Sequence, residues 1–502
     1  MLSDLLTSFV CFGFNSHLIL TAKKVSFYFF LKLLNSAIYN RSAYYRTFIF
    51  VKKIHRKSKI IFFIEAGSSK FYYLCKGLID LKRGEEMKKT ALWGLAILTI
   101  CNLFNYMDRY LFNSLAPAIK RDFDLTNFEV GMLASIFGLI YIIACPLAGL
   151  LGDKYKRPRI LGGAMFFWSL VTASAGLARG FWTMLIPRSL SGIGEAACSS
   201  IGCSLVEDYS PKAWKGRAMA VFLIAMPLGT AMGYLAGGYI DAWIGWKWAF
   251  PIVGIPGMLI ALLVWNIKEP VPDLGANKDD FLIELKNNFK TLIHNRVYLY
   301  AIIGYTAFTF VTGAMAAWVP EIMVSAKGLS LKDGNIIFGG TMVITGIVAT
   351  GLGAILTDVL RKHTHRAAAL ICAISALLSI PFLIIALNAE GRTSLFLWLL
   401  AAETFLFLNT TPITLIILES VKFDQRSVAM GFSVLAIHLF GDALSPAIVG
   451  WWADKTDVIT ACITILPGGL VVTAVFWFLC FSSQKKSSDI KIPPHEKGEN
   501  PC

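Results

Sequence analysis

Asp108 and Arg109 stand side by side in FNYMDRYLF, inside an apolar run that begins near Ala91. A charge at the centre of a membrane-spanning helix costs at least about 2.5–3.5 kcal/mol, so such residues turn toward a bundle interior. Spacings of three and four place Asn102, Asn105, Arg109 and Asn113 on one helical stripe, with Asp108 beside it. A second stripe, in LIPRSLSGIGEAACSS, carries Arg188, Ser191, Glu195 and Ser199, with Arg188 and Glu195 roughly 10 Å apart along the axis. A third aligns His438, Asp442 and Ser445, the first two as an i,i+4 pair. Three polar faces in one bundle imply a shared cavity. Carboxylates and an imidazole beside cations can exchange a proton as the partner approaches or leaves. The guanidinium groups suit a phosphate head better than lysine does. The competing reading is ion pairing that only holds helices together.

The elements that position these residues are membrane helices. Of 502 residues, 56% are hydrophobic and only 16% charged, with mean hydropathy +0.62; a soluble domain carries about a quarter charged residues. Apolar runs of roughly 20 residues, each long enough to span, recur twelve times, from 92–117 to 458–481. The chain is therefore an all-α polytopic membrane protein. The formal charge of +15 is uneven, since residues 1–86 hold 14 Lys and Arg against 5 Asp and Glu. Beyond them, basic residues gather in alternate loops, as in Lys154 to Arg159, Lys212 to Arg217, Lys268 to Arg296 and Arg361 to Arg366. This positive-inside pattern puts both ends of residues 87–502 in the cytoplasm and makes the charge topological. A nucleic-acid partner is not expected. Ten cysteines lie scattered without a CxxC pair, so no disulfide framework, metal site or cofactor is read from them.

Residues 1–86 lack both a clear spanning run and the organisation of a signal peptide. Arg83-Gly-Glu-Glu86 precedes Met87, and purine-rich codons for those residues resemble a bacterial ribosome-binding site. Met87 is thus expected to be the initiator, in a bacterial inner-membrane protein. The alternative is a basic extension lying on the membrane surface.

The membrane unit divides into two halves, 87–267 and 297–481, joined by a charged linker at 268–296 and followed by a tail at 482–502. The halves echo each other: Asp153 and Arg157 answer Asp358 and Arg361, and Glu195 answers Glu403. Such internal repeats mark transporters whose two bundles rock about a central site. The stretch GLLGDKYKR, residues 149–157, resembles the loop signature of the major facilitator superfamily, with Lys156 in place of the usual Gly and Pro158 in place of a basic residue. An acidic group at such a helix end can meet the positive N-terminus of a helix in the other half, which assigns Asp153, Arg157, Asp358 and Arg361 a gating role. In GTAMGYLAGG, residues 229–238, small residues at spacings of four suit close helix packing.

Taken together, NYMDR, RSLSGIGEA and IHLFGDALSP resemble the Spinster family of that superfamily, over about residues 100–455. The resemblance implies the major facilitator fold, twelve transmembrane helices in two pseudo-symmetric bundles of six, acting as a secondary transporter of lysophospholipid-like lipids or hydrophobic organic anions, with proton coupling. It assigns Asp108, Arg109, Arg188 and Glu195 to proton coupling and the substrate head, with Asn105 and Glu403 in the same polar system, and puts His438 and Asp442 on the second-half side of the cavity. The expected partners are a small-molecule or lipid substrate, protons and membrane lipids, with the chain acting as a monomer. A proton-coupled symporter of small organic anions remains the alternative. An ATP-driven pump lacks its GxxxxGK[ST] loop. An enzyme would need a reactive cluster at a membrane face, and His363 and His365 have the wrong spacing for one helical face. Intact-mass analysis of the purified protein should place its N-terminus at Met87; a peptide from residues 1–86 would contradict that start.

Overall fold

The computed structural model describes residues 89–211, 214–269, 291–422 and 425–484. The expected extension at 1–86, most of the 268–296 linker and the tail beyond 484 lie outside the described residues. What is described is helical, without strands. The first six spans are α1 (Lys89–Phe123), α2 (Asn127–Lys154), α3 (Arg157–Ala175), α4 (181–209), α5 (Lys215–Ile244) and α6 (Trp246–Trp265). The second six are α7 (Arg296–Ala326), α8 (Leu331–Arg361), α9 (Ala367–Asn388), α10 (Arg392–Ser420), α11 (426–453) and α12 (Val458–Ser483). By length and composition alone, nine among the described residues can cross a membrane; α1, α3 and α4 fall short of that test. Two of these, α1 and α4, bear the charges of the first two polar stripes.

Helix starts follow local chemistry. Thr126 and Glu129 form a reciprocal capping box at the head of α2, and Asn295, Ser330 and Asp457 cap α7, α8 and α12. Each cap satisfies an otherwise orphaned N–H and contributes on the order of 1 kcal/mol. Two spans are widened by π turns next to expected site residues: Cys198–Gly202 follows Glu195 in α4, and His438–Asp442 interrupts α11. A π turn adds a residue to the helix and re-aims the side chains around it, which is why such turns recur at functional sites.

Within the first half, α1 packs on α5, α2 on α4, and α3 on α6; within the second, α7 and α9 pack on α12 and α8 on α10. The halves meet along α2 against α11 and α5 against α8. Hydrogen bonds across this boundary come from α1, α2 and α5, toward the face where α1 ends and α2 begins. Asn335 Nδ2 donates to Ser114 O at 2.9 Å, Tyr234 OH to Ala316 O at 2.7 Å, and Ala447 N to Ser135 Oγ at 3.2 Å. Lys120 Nζ reaches Glu321 Oε1 at 2.9 Å. That face of the molecule is closed.

Close approach of α5 to α1 accounts for Gly229 and Gly233. A Cβ at Gly233 would lie 2.6 Å from Met107 O, and one at Gly229 would lie 2.5 Å from Leu103 O. The glycines let α5 press on α1 and so hold the stripe that carries Arg109. Gly233→Leu should destabilise the protein by about 1–3 kcal/mol through overpacking. Gly351→Leu, where the added Cβ meets nothing within 4 Å, should leave stability within about 0.5 kcal/mol. Thermal unfolding in detergent checks both.

Candidate substrate and coupling site

A cavity of about 270 Å³ lies between the halves, lined by Arg109, Tyr141 and Arg188 from the first and by Thr312, His438 and Asp442 from the second. Arg109 is held from behind. Its Nε donates to Glu195 Oε2 at 3.4 Å, and Asn105 Nδ2 donates to the same oxygen at 3.2 Å. Glu195 is fully buried, while the Arg109 side chain is 16% exposed, so the pair runs from the packed interior to the cavity wall. The guanidinium also lies over the Tyr141, Phe137 and Tyr106 rings, at 4.6, 5.1 and 5.2 Å from their centroids. Each desolvated contact of this kind is worth on the order of 1–2 kcal/mol, and together they hold a cation at membrane depth. Glu195 Oε1 and Arg109 Nη2 remain buried without a hydrogen-bond partner among the described residues.

Arg188 is set differently. Its guanidinium stacks on Phe112 and Phe137, at 4.4 and 4.9 Å, and its Nε donates to Leu133 O at 3.4 Å. No carboxylate reaches it within ion-pair distance among the described residues. Phe137 therefore separates two guanidinium groups that both line the cavity, one paired with a carboxylate and one held only by rings and a carbonyl. Across the cavity, His438 Nδ1 lies 2.8 and 3.0 Å from the two Asp442 oxygens. The π turn sets this pair: Ala443 N–H bonds to His438 O, five residues back, at 3.1 Å. The His438 ring meets Tyr141 edge-on at 5.9 Å between centroids, and Tyr141 OH donates to Ser199 Oγ at 2.8 Å in the π turn of α4.

Four of the expected site residues, Arg109, Arg188, His438 and Asp442, thus meet at the cavity, with Asn105 and Glu195 directly behind Arg109. Asp108, expected beside Arg109 in the same polar system, points instead to α3, where it accepts a hydrogen bond from Thr172 Oγ1. Adjacent helical residues diverge by about 100°, so the two charges face different neighbours. Glu403 is also set apart. It is buried against α8, accepts from Thr345 Oγ1 at 3.2 Å and does not line the cavity.

Of the expected gating residues, Arg157 pairs with Asp208 of its own half at 2.6 Å and with Glu269, at the start of the linker, at 3.3 Å. Arg361 likewise pairs with Glu419, and Asp358 is exposed with no partner among the described residues. The Asp153 side chain lies outside what is described. A cross-half contact of the expected kind is made by a residue the sequence reading missed. Asp454, at the end of α11, accepts from the backbone N–H groups of Asn127 and Phe128 in the first turn of α2, at 2.8 and 2.9 Å. Lys120 and Glu321 were missed as well. The available signal was the sequence Asp454-Lys455 closing α11, as Asp153-Lys154 closes α2.

Two six-helix bundles around a central cavity walled with charge have the build of a secondary transporter. The model of the Major Facilitator Superfamily matches residues 98–446. Protein spinster homolog 1 of Homo sapiens is 31% identical over 384 residues, 72% of each chain. The sphingosine-1-phosphate transporter SPNS2 of Danio rerio is 31% identical over 388 residues, covering 73% of this chain and 77% of that one. A crystal structure of a bacterial homologue of the human lysosomal transporter Spinster, inward-facing and unoccupied, superposes with a TM-score of 0.68 at 20% identity, over 79% of this chain and 96% of that one. The chain belongs to the Major Facilitator Superfamily, and within it to the Spinster family.

The boundary of the cavity is testable with cysteines placed in a background lacking the native ones. Thr312→Cys should react with a water-soluble maleimide, and Thr345→Cys, beside Glu403, should not; equal labelling would contradict the separation of Glu403 from the cavity.

Proposed function

We propose that this transporter carries an amphipathic anion, with a phosphate-like or carboxylate head at Arg188 and Arg109 and an apolar tail, and that proton binding at Glu195 is linked to substrate binding. The observation that carries the proposal is the position of Arg109, which touches the cavity with one side and Glu195 with the other. With Glu195 ionised, Arg109 is neutralised from behind. With Glu195 protonated, that partner is lost, and leaving a buried charge uncompensated costs about 3–5 kcal/mol. An anionic head entering the cavity supplies a replacement, so proton and substrate load together. His438 and Asp442 face the same space from the second half and meet the head once the halves rock. Phe137, Met342 and Phe407 in the lining offer apolar surface for a tail. That lining favours an amphipath over a short organic anion, and the zebrafish relative is named for a lipid phosphate.

The cross-half bonds close the face opposite the basic loops, so by the positive-inside rule the cavity opens toward the cytoplasm, with both ends of residues 87–502 on that side. Asp454 then acts as a latch on the outer face. Its two bonds are charge-assisted, each worth roughly 1.5–3 kcal/mol, and they also meet the positive end of the α2 dipole. The cavity is complete in one chain, which fits a monomeric unit in the bacterial inner membrane.

Proteoliposomes of the full chain, given a fluorescent lysophospholipid with and without a pH gradient, test the reading. Wild type should respond to the gradient, and Glu195→Gln should lose that response. Arg188→Ala should bind substrate about 10–100-fold more weakly, as expected for a lost charge-assisted contact. Transport of short carboxylates with no movement of lysolipid would favour the small-anion symporter instead. In the same preparation, Asp454→Asn should increase labelling of Thr312→Cys by an impermeant reagent added from the outer face; unchanged labelling would contradict the latch.

A further inference from the structure

A second cleft, of about 280 Å³, shares no lining residue with the central cavity and lies where the turn between α2 and α3 meets the end of α6. Lys156, Arg159 and Lys268 line it, all exposed and none ion-paired among the described residues. The acid in its wall is already engaged. Glu269 Oε1 accepts from the Arg157 backbone N–H at 3.2 Å and from Arg157 Nε at 3.3 Å, while Arg157 Nη1 turns to Asp208. Three cations are left facing one small space, and like charges so close repel unless an anion joins them. Tyr209 OH, at the end of α4, donates to Lys268 O and fixes the backbone there.

The surroundings specify the kind of anion. Trp265 lies at the rim, 48% exposed, and Trp is enriched where headgroups meet the hydrocarbon. Its ring is seated on α3, where a Cβ at Gly163 would lie 3.2 Å from it. Over the two turns of α6 that precede Trp265, Leu259, Leu262 and Leu263 expose more than half of their surface. A ligand here has an anionic head among three cations and apolar chains along α6. Basic clefts between membrane helices have this character when they hold lipid headgroups.

We propose that this cleft binds the phosphate of an anionic membrane phospholipid, held by Lys156, Arg159 and Lys268 with Trp265 at the level of the glycerol. The lipid is a resident one, distinct from the transported substrate, and the site does not depend on the identity of that substrate. By joining the α2–α3 turn to the end of α6 beside the Arg157 ion pairs, it braces the first half at the face where the cavity opens.

Native mass spectrometry of the full chain in mild detergent, paired with thermal unfolding, tests this. The probes are dimyristoyl phosphatidylglycerol, dimyristoyl phosphatidylcholine and glycerol phosphate. Phosphatidylglycerol should give a retained single adduct and raise Tm, and the other two should do neither. The adduct should be lost in the triple variant Lys156→Gln, Arg159→Gln, Lys268→Gln and kept in the charge-conserving variant Lys156→Arg, Arg159→Lys, Lys268→Arg, which controls for folding. It should also survive Arg188→Ala, since that residue lines only the central cavity. Undiminished binding in the triple Gln variant, or loss in Arg188→Ala, would overturn the site. An equal rise in Tm with glycerol phosphate would show a soluble-phosphate site and overturn the lipid assignment.

Discussion

The contact between Arg109 and Glu195 is the constraint on which the rest of the first half depends. A guanidinium and a carboxylate at membrane depth are each expensive, and each is tolerable there because the other is present. Keeping them together requires α1 and α4 to be held in register. The glycines of α5 press on α1, Asn105 shares the carboxylate, and three aromatic rings cover the guanidinium. The pair is nonetheless imperfect, with one oxygen and one nitrogen left without partners. An interaction complete in every bond would resist exchange. In the proposed mechanism, this incompleteness lets Arg109 exchange partners when an anion reaches the cavity.

The second half contributes a different kind of polar group. His438 and Asp442 lie in a π turn and touch the first half through Tyr141, whose hydroxyl reaches the π turn of α4. Two irregular helix segments thus flank the cavity, one from each half. Regular α-helical geometry would aim these side chains elsewhere. Rocking must also break contacts at the closed face, where Asp454 caps α2 from across the boundary. Helix dipole and carboxylate charge act together there, and both are lost when the ends separate. On the opposite face, Arg157 and Arg361 pair within their own halves, so those contacts can travel with the bundles.

Much of this was legible from spacing. The apolar runs located the spans, and the stripes were expected to face one cavity, because a charge in a membrane helix must face inward; Arg109, Arg188 and His438 of those stripes line it. Spacing along one helix does not say which neighbour a side chain meets. Asp108 was grouped with Arg109 but faces Thr172, and Glu403, the repeat partner of Glu195, faces Thr345 where Glu195 faces a cation. The halves share their fold without sharing the partner. Asp454 escaped because it bonds to backbone N–H groups, which every residue but proline carries, so no residue type marks the receiving end. The π turns were equally invisible, since HLFGD and CSSIG read as ordinary helix.

Distance measurement by paired spin labels addresses the central claim most directly. Labels at Asp124 and Thr456 report the closed face, and labels at Lys156 and Lys362 report the other, in nanodiscs across a range of pH with a lysophospholipid present. The account requires the Asp124–Thr456 distance to lengthen and the Lys156–Lys362 distance to shorten as the pH changes, and requires Glu195→Gln to abolish the pH dependence of both. Distances that ignore pH in the wild type, or that respond equally in Glu195→Gln, would contradict the proposal that a proton at Glu195, acting through Arg109, is linked to substrate loading and hence to the rocking of the two halves.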